Sequence, residues 1–278
     1  MNGFKTFLLM SLMTILFMFV GSLLGGNKGI VLAFVFAVIM NFSSYWFSDK
    51  IVLRTYKAQP INKKNDPELF SLVENLTNKA GLPMPNVYVV PSDSPNAFAT
   101  GRNADHAAVA VTSGIRKLLN REEMEAVLAH EISHIKHKDI LLGTIAATLV
   151  GALTSIAHFA TYALMFSRGG DRDNDNKGFG TLVLLVLAPI AATLIQMAIS
   201  RSREYMADEG AAILSGKPNA LANALQKLER GIQARPMEVE PSSAHLFIAN
   251  PLSSGLVMKL FSTHPPINER IEKLRMMR

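Results

Sequence analysis

The sequence predicts an α+β integral membrane protein, mainly helical, with about four transmembrane helices and a small β-sheet in the part outside the bilayer. Three observations lead there. Hydrophobic residues make up 49% of the 278-residue chain and charged residues only 18%, whereas a soluble domain carries roughly 25% charged residues. The apolar surplus is gathered into four runs, each close to the length needed to cross a hydrocarbon core of ~30 Å. Between and after these runs, short alternating apolar stretches bounded by Pro, Gly, Asn and Asp read as strands.

The first run, residues 4–24, contains one charge at its start and then apolar or small residues. It exceeds the apolar core of a typical signal peptide, and a second run, about Ile30 to Phe47, follows after a short Gly-Asn-Lys-Gly turn; a retained helical hairpin fits better than a cleaved leader. The third run covers about Ile140 to Phe166 and the fourth about Phe179 to Ile199, joined by SRGGDRDNDNKG. Lys50, Arg54, Lys57, Lys63, Lys64, Lys136, Lys138, Arg201 and Arg203 border the runs on one side. The other side has Lys28 and a loop whose Arg168, Arg172 and Lys177 are balanced by three aspartates. By the Lys and Arg bias both termini face the cytoplasm. The expected organisation is an amino-terminal hairpin over 1–50 and a domain over 51–278 interrupted by a second hairpin at about 140–200.

Outside the runs, Asp66-Pro67 predicts the N-cap and first residue of a helix ending near Gly81. Asn86 to Pro91, Asn96 to Gly101 and Ala107 to Gly114 predict three short strands. Asn120 and Glu123 form a capping-box start for a helix running through Val127, Leu128, Ile132 and Ile135. Further helices are expected at about Ser202 to Leu214, Asn219 to Ile232 and Pro266 to Met277, with an irregular stretch from about Arg235 to Ser262.

The formal charge of +6 does not point to nucleic acid, because the basic residues flank the apolar runs rather than forming a basic, aromatic-interleaved face. There are no cysteines, which excludes disulfides, thiolate metal sites and a cysteine nucleophile. Any metal must be held by His, Asp or Glu.

His130-Glu131-Ile132-Ser133-His134 places two imidazoles at i and i+4 on one face of the capped helix, one turn apart and able to share a Zn²⁺. Glu131 then stands beside the open coordination position, where a carboxylate can take a proton from an activated water and hand it to a leaving amine. Alone, the pattern also fits two surface histidines beside a glutamate. A catalytic zinc needs a third protein ligand, and the best candidate is Glu204, directly after the fourth run. Asp208, one turn further on, is placed to orient His130 or His134 as a hydrogen-bond acceptor. Read alone, Glu204 and Asp208 fit a solvated helix face. Topology favours the site instead: His134 precedes the third run and Glu204 follows the fourth, so a membrane hairpin returns Glu204 to the same face, and a continuous helix from His134 would put the metal within ~10 Å of the apolar boundary.

Taken together, HEISH, SRSREYMAD, NAFATG and the late Ser262-Thr263-His264-Pro265-Pro266 resemble the HtpX family of membrane zinc metalloproteases, relatives of the CAAX prenyl proteases. The resemblance covers about residue 60 to the end, and the amino-terminal hairpin also fits. It implies a gluzincin core with one zinc on His130, His134 and Glu204, and Glu131 as catalytic base. It further implies that Asn96, Ala97, Phe98, Ala99 and Thr100 form an edge strand pairing with an extended substrate, and that His264 stabilises an oxyanion. The substrates it implies are unfolded or misassembled membrane proteins at a bacterial inner membrane, with the lipid bilayer as the other partner. A His before two prolines also fits a simple turn. The competing class is a non-catalytic zinc-binding scaffold or metal-transport component, which would place ionisable ligands inside the spans. Only His158 lies there, and it reads as a packing histidine; His106 and His245 read as loop residues.

Overall fold

The computed structural model describes residues 2–146, 148–150, 201–234, 248 and 265–277. The later part of the third run, the fourth run, His158, His245 and His264 lie outside the described residues.

Helix α1 (Asn2–Thr55) bends where Gly25 (φ −148°, ψ 16°) and Gly26 (φ 57°, ψ −139°) leave helical geometry; a side chain would resist the positive φ at Gly26. The bend falls at the start of the expected Gly-Asn-Lys-Gly turn, and the backbone is helical again from Asn27. Its two arms, Gly3–Ser22 and Gly25–Thr55, are each long and apolar enough to cross a membrane. Asn41 Nδ2 donates to Thr14 Oγ1 across the arms at 2.9 Å, and Phe17 meets Phe36 edge-to-face at 5.3 Å. Phe34, Val35, Ile39 and Phe42 are exposed on the outer face, an apolar surface of the kind that suggests a membrane protein.

Next come β1 (Gln59–Ile61), α2 (Pro67–Ala80), β2 (Asn86–Val90), β3 (Ala97–Gly101), β4 (Ala107–Thr112), α3 (Ser113–Leu118) and α4 (Arg121–Lys136). The sheet has four strands in the order β1-β2-β4-β3, one more than the sequence suggests. β1 was missed because Pro60 sits in it and two of its three residues are exposed. β2 pairs with β4 in parallel, while β1 and β3 pair antiparallel at the two ends. The expected strand through Gly114 stops at Thr112, whose side chain accepts from the Ile115 N–H and caps α3 instead.

Both caps read from sequence are present: Asp66 accepts from the Leu69 N–H and Pro67 opens α2, and Asn120 and Glu123 form the capping box of α4. The helix α4 is the centre of the core. Leu128, Ala129 and Ile132 are fully buried, in one apolar cluster with residues of α2, the sheet and the later helices. Helix α5 (Ile140–Val150) follows and packs Leu142, Ile145 and Leu149 against Leu9, Met13 and Leu16 of α1. Then come α6 (Arg201–Ser215), α7 (Pro218–Ala234) and α8 (Ile267–Met276). Gly210 allows α6 to approach α4, since an added Cβ would sit 2.5 Å from Ser133 Oγ. That close crossing sets the depth at which α6 delivers Glu204.

Candidate metal centre

In α4 the i, i+4 spacing directs His130 and His134 to one side, with their Nε2 atoms 3.2 Å apart. Glu204 reaches in from α6, its Oε2 3.8 Å from His130 Nε2 and its Oε1 3.7 Å from His134 Nε2. Ligand atoms of these three residues lie within 4.8 Å of one another. Each imidazole has a carboxylate on its other nitrogen. His130 Nδ1 is 3.0 Å from Asp208 Oδ1, and His134 Nδ1 is 3.2 Å from Asp139 Oδ2. A carboxylate at Nδ1 favours the tautomer that turns the Nε2 lone pair inward.

Two lone pairs and a carboxylate facing one point repel each other unless a cation lies between them. Burial pulls the proton affinity of His134 down, but Asp139 on its Nδ1, with Glu204 and Glu131 on the inward side, pushes it up to about 9. His130 is held below the usual range, chiefly by burial, against the pull of Asp208. Two imidazoles and one carboxylate are a donor set that suits zinc, so the residues present fit the metal that the motif suggests.

Glu131 is 5% exposed, and burial with Glu204 nearby pushes its carboxyl up to about 8, against the opposing effects of His134 and the Ala99 N–H. The Ala99 N–H donates to Glu131 Oε2 at 2.8 Å. Ala99 belongs to β3, which pairs only with β4 among the described strands. Because Thr112 N–H donates to Asn96 O, antiparallel alternation turns the main-chain groups of Phe98 and Thr100 toward β4 and those of Ala97 and Ala99 toward the rim. The Glu131 carboxylate therefore lies against the unpaired edge. The residues Asn96 to Thr100 are brought to the cluster by this contact, although their side chains are buried.

The sequence leaves the partner of Asp208 open between two histidines, and the structure pairs it with His130. Asp139 and Arg270 join the site through contacts that the sequence does not announce. Asp139 is returned to the end of α4 by a Schellman reversal, in which Lys138 takes φ 58° and the Asp139 and Lys138 N–H groups donate to the carbonyls of His134 and Ile135. Lysine at the left-handed position hid that motif. Arg270 is fully buried. Its Nε and Nη2 grip Asp208 at 2.9 and 2.7 Å, its Nη1 donates to Ile248 O at 3.0 Å, and Nη1 is 3.6 Å from Glu204 Oε2. Burial alone would raise the Asp208 carboxyl, but Arg270 and His130 hold it below the usual carboxylate range. One signal for Arg270 was available: it interrupts the apolar stripe Ile267, Ile271, Leu274 at helical spacing.

Residues 63–278 match the model of Peptidase family M48. The chain is 52% identical to a Protease HtpX homolog of Desulfatibacillum aliphaticivorans over 275 residues, covering 98% of this chain and 89% of that protein. It is 50% identical to another from Syntrophotalea carbinolica, covering 100% and 99%, and 52% identical to one from Pyrococcus furiosus, covering 98% and 94%. Among solved structures it resembles S. mikatae Ste24p with a TM-score of 0.51 at 21% identity, a likeness of fold that spans 99% of this chain and 63% of that one. With a family match over most of its length and half of its residues shared with these proteins, the chain belongs to peptidase family M48, among the HtpX metalloproteases.

Proposed function

We propose that this protein is a membrane-anchored zinc endopeptidase that hydrolyses peptide bonds of unfolded or misassembled membrane proteins, as part of protein quality control at a bacterial inner membrane. The observation that supports it most directly is the convergence of His130, His134 and Glu204 beside a buried Glu131 that touches a strand edge with no partner strand among the described residues. His130, His134 and Glu204 would hold one zinc, which would supply Lewis acidity toward water and the scissile carbonyl. Glu131 takes the proton lost by the attacking water and delivers it to the leaving nitrogen as the C–N bond breaks. The rim of β3, through the main chain of Ala97 and the carbonyl of Ala99, holds the substrate as an added strand, which binds many sequences without selecting one. Asp208 and Asp139 orient the imidazoles, and His264 stabilises the oxyanion.

The amino-terminal hairpin (1–50) and the second hairpin (about 140–200) give four spans, with the proteolytic domain of 51–278, which the second hairpin interrupts, otherwise on the cytoplasmic side. A reporter fused after Arg278 is expected to be cytoplasmic and one inserted near Asp173 periplasmic; the opposite labelling would overturn this orientation. The catalytic reading is tested by metal analysis of the detergent-purified protein together with cleavage of a membrane-protein substrate. About one zinc per chain is expected, activity should vanish with a chelator and return with zinc, and His130→Ala or His134→Ala should abolish tight binding. Activity that survives complete metal removal would refute it.

A further inference from the structure

Between Lys28 and Asp49 the chain carries no charge, and residues 29–48, rising ~1.5 Å each, span ~30 Å, the thickness of a hydrocarbon core. The last turn of this stretch is aromatic: Trp46 meets Tyr45 at 5.5 Å and Phe42 at 6.1 Å. Lys50 Nζ lies 5.6 Å from the Phe47 ring centre. An aromatic cluster where an apolar helix turns basic is the arrangement found at headgroup level. Trp46 is the only tryptophan of the chain and is 41% exposed.

The guanidinium of Arg102 lies 4.5 Å from the centre of the Trp46 ring. Arg102 is the first residue after β3. A second contact holds the same end of the strand: Thr100 Oγ1 is 3.1 Å from Thr144 Oγ1, close to the start of the apolar helix α5. In the other direction the strand reaches the catalytic carboxylate, through Ala99 and Glu131. From Arg102 back to Ala99 is three residues of strand, ~10 Å.

We propose that Trp46 and Arg102 form a headgroup-level anchor that fixes the height of β3 over the bilayer, so that the peptide presented to Glu131 is the stretch immediately beyond the end of a substrate's own span. The partner of this surface is the phospholipid headgroup layer. The inference rests on the endopeptidase reading and adds a distance rule to it. An extended chain needs about three residues to climb ~10 Å, so bonds closer to the membrane than that do not reach the site. Farther out, the effective concentration of a tethered sequence falls roughly as the −3/2 power of linker length. Cleavage therefore peaks a few residues beyond the span.

The test uses the full chain in vesicles of phosphatidylcholine and phosphatidylglycerol. Trp46 fluorescence should be quenched more strongly by lipids brominated near the carbonyl end of the acyl chain than near its methyl end; the reverse order would overturn the anchor. Substrates with one span and a flexible Gly/Ser tail would carry one cleavable sequence about 2, about 5 or about 25 residues out. The middle position should be cut about tenfold faster than the far one, and the near one hardly at all. Arg102→Ala and Trp46→Ala should each bring the near position to within about twofold of the middle one, with the far position still about tenfold slower and cleavage of a soluble unstructured peptide unchanged. Equal cutting at all positions, or a distance profile that neither variant alters, would overturn the proposal. If no substrate is cut, the soluble peptide included, the endopeptidase reading fails and the quenching order alone decides the anchor.

Discussion

Replacing Glu131 with glutamine should leave the protein folded and zinc-loaded yet lower its proteolysis by several orders of magnitude. Glutamine keeps the size of the side chain and can still accept the Ala99 N–H at its amide oxygen, so the contact with the strand rim survives. What it loses is the proton acceptor. Among the described residues, the other carboxylates near the imidazoles are committed: Glu204 faces the metal position, Asp208 is gripped by Arg270, and Asp139 sits on His134. None replaces Glu131 at the attacking water. The measurement is zinc content and turnover on the same preparation, and near wild-type turnover would refute the assignment of Glu131. Because binding along β3 does not need the base, the glutamine variant should also hold uncut substrate.

Arg270→Met should cost about 3–5 kcal/mol of stability, the usual result of stripping one partner from a buried ion pair. Methionine fills much the same volume, so the loss comes from Asp208, left buried beside His130 with its charge uncompensated. Zinc affinity should fall as well, by roughly 10- to 100-fold, because Asp208 no longer holds the His130 ring. Arg270→Lys would keep the charge but not the two-pronged grip and should lie between. The double change Arg270→Met with Asp208→Asn should recover part of the stability but not the zinc affinity, since the amide removes the stranded charge without restoring the orienting carboxylate. Thermal unfolding in detergent and competition with a zinc chelator would measure both. A methionine variant that melts and binds zinc like the parent would show that the clamp contributes nothing.

What could be read from the sequence was whatever is encoded locally. The capping box at Asn120 and Glu123, the Asp66-Pro67 start and the i, i+4 pair His130 and His134 each occupy one helix, so spacing alone exposes them. Glu204 was reachable by a topological argument, because it follows a run that should return the chain to the membrane face it left. The roles of Arg270 and Asp139 were not, although Arg270 shows as a charge within the apolar stripe of its helix. The partners of Arg270 are Asp208 and Ile248, brought near only by tertiary packing, and Asp139 depends on a left-handed turn at a lysine. The short strand β1 shows the same limit at the level of secondary structure, since its pairing with β2, distant in sequence, makes a strand of Gln59–Ile61.

The Arg270 clamp also bears on how the protein comes into being. The two imidazoles are made first and Glu204 more than sixty residues later. The guanidinium that steadies Asp208 belongs to α8, the last of the described elements to be synthesised. A ribosome-bound chain thus holds an unfinished centre until α8 docks, and contacts so far apart in sequence close slowly. The contact that steadies Asp208 is thus added only after all three candidate ligands have been synthesised.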